Sequence, residues 1–344
     1  MEIDFDPLEH LDNGNILLDV RSPSEFELGH IPGAVSVPLF SDEERAEVGT
    51  IYKRQSKEEA VLRGLEIVGP KMAPMVKEIV TKSAGQSITV YCWRGGMRSG
   101  SVELLLNTLG LKANRIKGGY KGFRSWAHSV IESVPEYPQL KVISGMTGSG
   151  KTEILHELKA LGEQIIDLEG LANHRGSAFG HLLQQPQPST EHFINKLAIA
   201  IHKLDSSKTI WIEDESRLVG KVVLPDPIYT AIQNAPHHVI QLPNNRRLDW
   251  LEEEYGNAPK DQIFEAFIAI KKRLGGLRWK EAMAAVEQGN AREAAEKALS
   301  YYDSAYSHAL DVAKKDGCSI VEHNYINEGF EAIAQDLINE IENQ

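Results

Sequence analysis

Cysteine is scarce in this chain: among 344 residues only Cys92 and Cys318 carry a thiol. Two cysteines cannot form a disulfide framework, which excludes the small secreted scaffolds that replace a core with cross-links. No apolar run is long enough to span a bilayer. The opening residues Met1-Glu2-Ile3-Asp4-Phe5-Asp6 are acidic, where a secretory signal would be basic and then apolar. These absences lead us to expect a cytoplasmic protein with no membrane attachment. Internal repeats and low-complexity tracts are also missing, so a solenoid or a disordered linker protein is not expected. Basic residues are outnumbered, 37 Lys and Arg against 49 Asp and Glu, for a net charge of −12. That balance argues against a general nucleic-acid coat; an RNA substrate would need a local basic patch on an acidic body.

What remains is the composition of an ordinary globular protein, 42% hydrophobic and 25% charged, with length for two cores. Short β-branched runs read as buried strands at 15–20, 87–91 and 113–116, and helical periodicity fits 58–68, 73–82 and 99–109. Alternation of this kind implies a parallel sheet covered on both faces. The pattern breaks at Val134-Pro135-Glu136-Tyr137-Pro138, which places a boundary between domains at 1–134 and 139–344. A second α/β pattern follows, with strands at 140–144, 164–168, 208–212 and 238–242. The text turns helical over about 246–310, and a short strand at 318–321 precedes a closing helix at 329–342.

Two loops carry chemistry. The first is Cys92-Trp93-Arg94-Gly95-Gly96-Met97-Arg98-Ser99, between a buried strand and an amphipathic helix. A cysteine there lies at a helix N-terminus, where unpaired N–H groups and the dipole favour a thiolate, and Arg94 and Arg98 add positive charge. Gly95 and Gly96 let the backbone curl around one anion. Cys92, Arg94 and Arg98 are therefore the catalytic candidates. Cys318 lacks such surroundings and reads as structural. The second loop, Gly145-Met146-Thr147-Gly148-Ser149-Gly150-Lys151-Thr152, matches the phosphate-loop pattern without a gap and sits between a strand and a helix, as that pattern requires. Gly145, Thr147, Gly148, Ser149 and Gly150 would wrap a di- or triphosphate with N–H groups, Lys151 would bind its outer oxygens, and Thr152 would hold Mg²⁺. Glu213-Asp214-Glu215 ends an apolar strand as a metal-orienting acid would, with Asp214 or Glu213 the candidate. His174 and Arg175 follow another strand at the same edge of the sheet, and Arg175 joins the phosphate-binding candidates.

The segment Leu18-Asp19-Val20-Arg21-Ser22-Pro23-Ser24-Glu25-Phe26-Glu27-Leu28-Gly29-His30-Ile31-Pro32-Gly33-Ala34, together with the Cys92 loop, resembles rhodanese-like domains. In that signature Asp19 and Arg21 orient loops, and His30 is structural. Arg98 stands six positions after Cys92, one more than in many sulfurtransferases, and the longer loop matches cysteine-dependent phosphatases. The order of the two motifs, with Leu168 to Ser177, Glu213 to Arg217 and Arg273-Leu274-Gly275-Gly276, resembles the bacterial tRNA 2-selenouridine synthases. The resemblance implies an α/β chain in which a rhodanese-like parallel-sheet domain precedes a phosphate-loop domain with a helical C-terminal part. It further implies a transferase acting on 2-thiouridine at the wobble position of tRNA. Selenium from selenophosphate replaces the sulfur, through an S-geranyl intermediate made from geranyl diphosphate, with no tightly bound cofactor, Mg²⁺ entering only as the ion that Thr152 would hold. Basic residues for the tRNA are offered by Lys117, Lys121 and Arg124, interleaved with Tyr120, Phe123 and Trp126, and by Lys271, Lys272 and Arg273. Aromatics in the core and charges on a solvated face are the plainer reading of both clusters. The residues also leave open a nucleotide-driven sulfurtransferase, or a cysteine phosphatase joined to a kinase-like domain.

Overall fold

The computed structural model describes residues 2–3, 14–315 and 317–343. Most of the acidic opening stretch lies outside them. The chain divides into two compact units, 1–130 with 194–199, and 131–193 with 200–344. Within the described residues no helix is long and apolar enough to cross a membrane.

The first unit is built on a five-stranded sheet in the order β1-β5-β4-β2-β3. Its strands are β1 (Glu2–Ile3), β2 (Ile16–Asp19), β3 (Val35–Ser36), β4 (Ile88–Tyr91) and β5 (Ala113–Ile116). Every pairing is parallel. Parallel strands need a crossover between them, and helices Asp42–Arg54, Lys57–Val68, Met72–Ser83 and Met97–Thr108 supply the cover. β2 and β4 are buried along their whole length. Their Ile16, Leu18, Ile88 and Val90 meet Ile79, Val102 and Leu106 in the core. The ends of β2 and β4 deliver Asp19 and Cys92 to one edge of this sheet, because parallel strands finish on the same side.

The second unit holds a five-stranded sheet in the order β12-β11-β6-β8-β7. It comprises β6 (Leu140–Gly145), β7 (Gln164–Ile166), β8 (Ile210–Glu213), β11 (His237–Gln241) and β12 (Ile320–Asn324), with an antiparallel pair, β9 (Leu218–Val219) and β10 (Val222–Val223), beside it. Its sheet pairings are again parallel. Helices Lys151–Ala160 and Phe330–Glu342 close one face on a core of Ile143, Ile154, Leu158, Trp211, Ile333 and Leu337. Four further helices, Asn244–Tyr255, Lys260–Leu274, Gly276–Gln288 and Ala291–Lys315, pack by Phe267, Ile270, Ala282, Val286, Ala294 and Ala298 into a separate helical core. The central strands β6 and β8 end at Gly145 and Glu213, so the loops that follow them open at one edge, where parallel α/β sheets bind ligands.

Candidate functional site

The phosphate loop is shaped by backbone that only glycine adopts at low cost. Gly148 and Gly150 have φ of 82° and 73°. A Cβ at Gly150 would lie 2.2 Å from Cε1 of Phe330, and one at Gly148 would lie 3.0 Å from the Arg247 carbonyl. The loop is therefore both left-handed and packed against its neighbours. Lys151 Nζ donates to the Gly145 carbonyl at 3.2 Å, which keeps the ammonium across the mouth of the loop. Arg247, almost wholly buried, donates through Nε to the Thr147 carbonyl at 2.9 Å and through its fork to Asp303, so the outer turn is tied to two helices. Ser149 Oγ is buried without a hydrogen-bond partner, which an oxyanion in the loop would supply.

Around this loop lies a pocket of about 230 Å³, lined by Thr147 to Glu153, Glu169, Arg175, Gly176, Glu215, Trp250, Glu254 and Tyr255 among others. Thr152 Oγ1 donates to Glu169 Oε2 at 2.7 Å, and the Glu169 amide donates to Glu213 Oε1 at 2.8 Å. Oxygens of Glu169 and Glu215 lie 2.7–2.9 Å from where a Cβ on Gly176 would stand, so the two carboxylates converge there. Burial pushes the Glu213 carboxyl well above its ordinary range, and the charge of Glu169 adds to the effect. Glu215 is raised by the same two causes, against the opposing field of Lys151. Hard oxygen donors gathered under Thr152 with little countercharge fit a divalent cation such as Mg²⁺. Arg175 is held by Glu153 at 3.2 Å and Glu254 at 2.9 Å; these partners outweigh its burial and keep it charged.

The pocket unites most of the sequence candidates: Thr147, Gly148, Ser149, Gly150, Lys151, Thr152 and Arg175. Asp214 does not join them. It receives a hydrogen bond from Ser144 Oγ at 2.9 Å, and Ser144 also meets His237. β8 closes at Glu213, and the alternation continues past its end: Glu213 and Glu215 both lie beside Glu169, while Asp214 turns to Ser144. That parity could have been read from Trp211-Ile212-Glu213-Asp214-Glu215. Glu169, Glu153 and Glu254 gave no such signal. His174 is buried, and that burial, with His181 nearby, lowers its pKa to about 4.

In the first unit Cys92 sits between the end of β4 and the helix that opens at Met97. It is 3% exposed, packs against the sheet core, and has Ser99 Oγ 3.2 Å from its sulfur. Tyr120 N donates to the Cys92 carbonyl at 2.9 Å, and Arg115 Nη1 to the Gly95 carbonyl at 2.7 Å, which fixes the curl of the loop. Arg94 is exposed. Arg98 pairs with Glu25 at 2.7 Å, and this ion pair outweighs burial to lower the Glu25 pKa. Asp19 and Arg21 form a buried fork, and Arg21 also donates to the Gly29 carbonyl, a loop-orienting role. His30 Nδ1 lies 2.9 Å from the Phe26 carbonyl and stacks on that ring, a structural role.

The basic clusters differ. Lys117 and Lys121 are exposed, and Arg124 reaches Asn195 Oδ1 at 2.7 Å. Tyr120 and Phe123 are buried at 0% and 1%, so these rings belong to the core and cannot stack on bases. Lys271, Lys272 and Arg273 are all exposed, in the last turn of their helix, where cations suit the dipole, and Lys271 Nζ lies 4.1 Å from the Trp279 ring centroid.

A parallel sheet that presents a glycine-curled cysteine loop, and a second that presents a phosphate loop over buried glutamates, define a rhodanese-like unit followed by a phosphate-loop unit. Comparison with known proteins agrees. Residues 7–125 match the rhodanese-like domain, and residues 138–332 match the tRNA 2-selenouridine synthase AAA domain. A tRNA 2-selenouridine synthase of Shewanella oneidensis is 33% identical over 95% of this chain and 94% of its own. Those of Shewanella sp. strain ANA-3 and Nitrosomonas europaea are each 36% identical, over 88% and 80% of this chain and 90% and 80% of theirs. The chain belongs to the tRNA 2-selenouridine synthase family.

Proposed function

We propose that this chain is a transferase that converts 2-thiouridine in tRNA to 2-selenouridine by way of an S-geranyl intermediate. The thiocarbonyl sulfur of the base attacks C1 of geranyl diphosphate; a C–S bond forms, the C–O bond breaks, and diphosphate leaves with the electron pair. The selenium of selenophosphate then adds at C2 of the base and geranyl thiol departs; water cleaves the P–Se bond, phosphate leaves, and the selenocarbonyl remains. The observation that carries the reading is the loop Gly145–Thr152. Its amides and Lys151 are set to take up the charge that grows on a departing diphosphate, with the Ser149 hydroxyl still to be satisfied. Thr152, Glu169 and Glu215 would hold Mg²⁺, which supplies further countercharge to the leaving group. In the other unit, Cys92 and the amides at the start of Met97–Thr108 would receive the selenium donor, a tetrahedral anion suited to a helix N-terminus.

The test uses purified chain and tRNA carrying 2-thiouridine, with nucleosides read by mass spectrometry. Geranyl diphosphate alone should give S-geranyl-2-thiouridine, and selenophosphate added to it should give 2-selenouridine. Unchanged 2-thiouridine with both present overturns the proposal.

A further inference from the structure

An apolar chamber of about 180 Å³ opens beside the phosphate loop among the C-terminal helices. It shares Thr147, Ser177, Leu251, Tyr255 and Tyr302 with the phosphate pocket, so the two spaces meet along one wall. Beyond that seam the lining turns apolar: Phe179, Leu182, Ile263 and Phe267 on one side, and Ala291, Ala294, Ala295 and Ala298 of helix Ala291–Lys315 on the other. The alanines recur at intervals of three and four residues and form one face of that helix. Small side chains there leave room that leucines would fill. A dry cavity of roughly 150 Å³ in another protein already accepts a benzene ring, so this space takes an apolar group of that order or somewhat more. A nucleotide puts a polar sugar next to its phosphates, which an apolar wall starting at the phosphate loop suits less well than a hydrocarbon chain.

We propose that this chamber holds the hydrocarbon chain of a prenyl diphosphate whose diphosphate occupies Gly145–Thr152, and that Ala295 and Phe179 set the chain length accepted. The inference rests on the function proposed above for the identity of the chain. Polar head and apolar tail are then bound by contiguous surfaces of one unit. The seam residues Leu251 and Tyr255 flank the carbon that joins them. Ala295 is only half-buried in the chamber wall, so a larger side chain there enters the chamber without overpacking the core. Phe179 packs edge-on against Phe267 at 4.9 Å between ring centroids, and the pair forms an aromatic wall of the chamber.

Calorimetric titration of the full chain with Mg²⁺ and either inorganic pyrophosphate or geranyl diphosphate tests the site. Wild type should bind the geranyl compound more tightly than pyrophosphate. Ala295→Leu should abolish that advantage, a loss of roughly ten- to a hundred-fold, while pyrophosphate binding is retained and certifies the fold. Phe179→Ala should admit farnesyl diphosphate, and it serves if Ala295→Leu fails to fold. Equal binding of the two diphosphates by wild type overturns the assignment. So does an Ala295→Leu variant that keeps the preference. Chain-dependent binding that Ala295→Leu removes, without transfer to tRNA, supports the chamber and refutes the proposed reaction.

Discussion

Replacing Arg247 with methionine should loosen the phosphate loop and lower stability together. The guanidinium is 5% exposed and pairs with Asp303, whose side chain is 31% exposed, while Nε holds the Thr147 carbonyl. Breaking a fully buried ion pair costs about 3–5 kcal/mol, mostly through the charge left behind. Asp303 can partly rehydrate, which brings the expected loss to roughly 2–3 kcal/mol. For a unit of this size that corresponds to a fall in melting temperature of roughly 5–10 °C. Pyrophosphate affinity should fall as well, by about tenfold, because an outer turn free to move must be ordered on binding. Urea unfolding of wild type, Arg247→Met, Asp303→Asn and the double variant would form a cycle with a coupling of roughly 1–2 kcal/mol. If Arg247→Met stays within about 0.5 kcal/mol of wild type, or Asp303→Asn costs the same in both backgrounds, the strut is not what holds this loop.

Three further outcomes follow from other regions. Lys151→Ala should weaken geranyl diphosphate binding and prenyl transfer by about 10²–10³-fold, whereas Cys92→Ser should keep prenyl transfer and lose selenium incorporation; nucleoside mass spectrometry separates the two. Replacing Lys271, Lys272 and Arg273 together by Gln should reduce the salt dependence of tRNA binding by roughly 2–3 in the slope of log K against log salt, measured by filter binding. His238 is buried, and its burial, with His323 beside it, lowers its pKa from 6.5 to about 4. A depressed histidine favours the folded state above 6.5 and withdraws that support as pH falls towards 4, so stability should drop by roughly 3 kcal/mol across this window. His238→Gln should flatten that drop in urea midpoints measured at stepped pH.

Both sheets were legible because parallel strands buried on two faces are written as unbroken apolar runs. Each long run, from Ile16 to Ile240, overlaps a strand of the structure, although 164–168 runs on into the helix Leu168–Ala172 and 208–212 begins two residues before β8. Val35–Ser36, Leu218–Val219 and Val222–Val223 are two residues each, too short for periodicity to register. Helix Asp42–Arg54 escaped the apolar pattern because it buries no residue completely; its signature lay in the cap, where Ser41 and Glu44 satisfy each other's amides. The phosphate loop and the cysteine loop were visible because their glycines and charges are adjacent in sequence. Glu169 and Glu254 were not, since an acid after a strand or within a helix looks like any solvated acid until the fold turns it inward. The alanine face of Ala291–Lys315 was hidden for the opposite reason: small apolar residues at helical spacing look the same whether they line a core or a chamber.

The buried glutamates are where the second unit departs from local consistency, and the departure says what the site must bind. Glu213, Glu215 and Glu169 are 0%, 8% and 8% exposed, yet the cations at the pocket are Lys151 and Arg175, the latter already committed to Glu153 and Glu254. Burial, and then the charge of Glu169, raise the proton affinity of Glu213 and Glu215, and ionising them without countercharge destabilises the fold. A diphosphate added alone would deepen the imbalance; a divalent cation added with it reverses the sign. Cation and diphosphate should therefore bind cooperatively, each reducing the electrostatic cost of the other, and neither alone should protect the unit against unfolding as both do together.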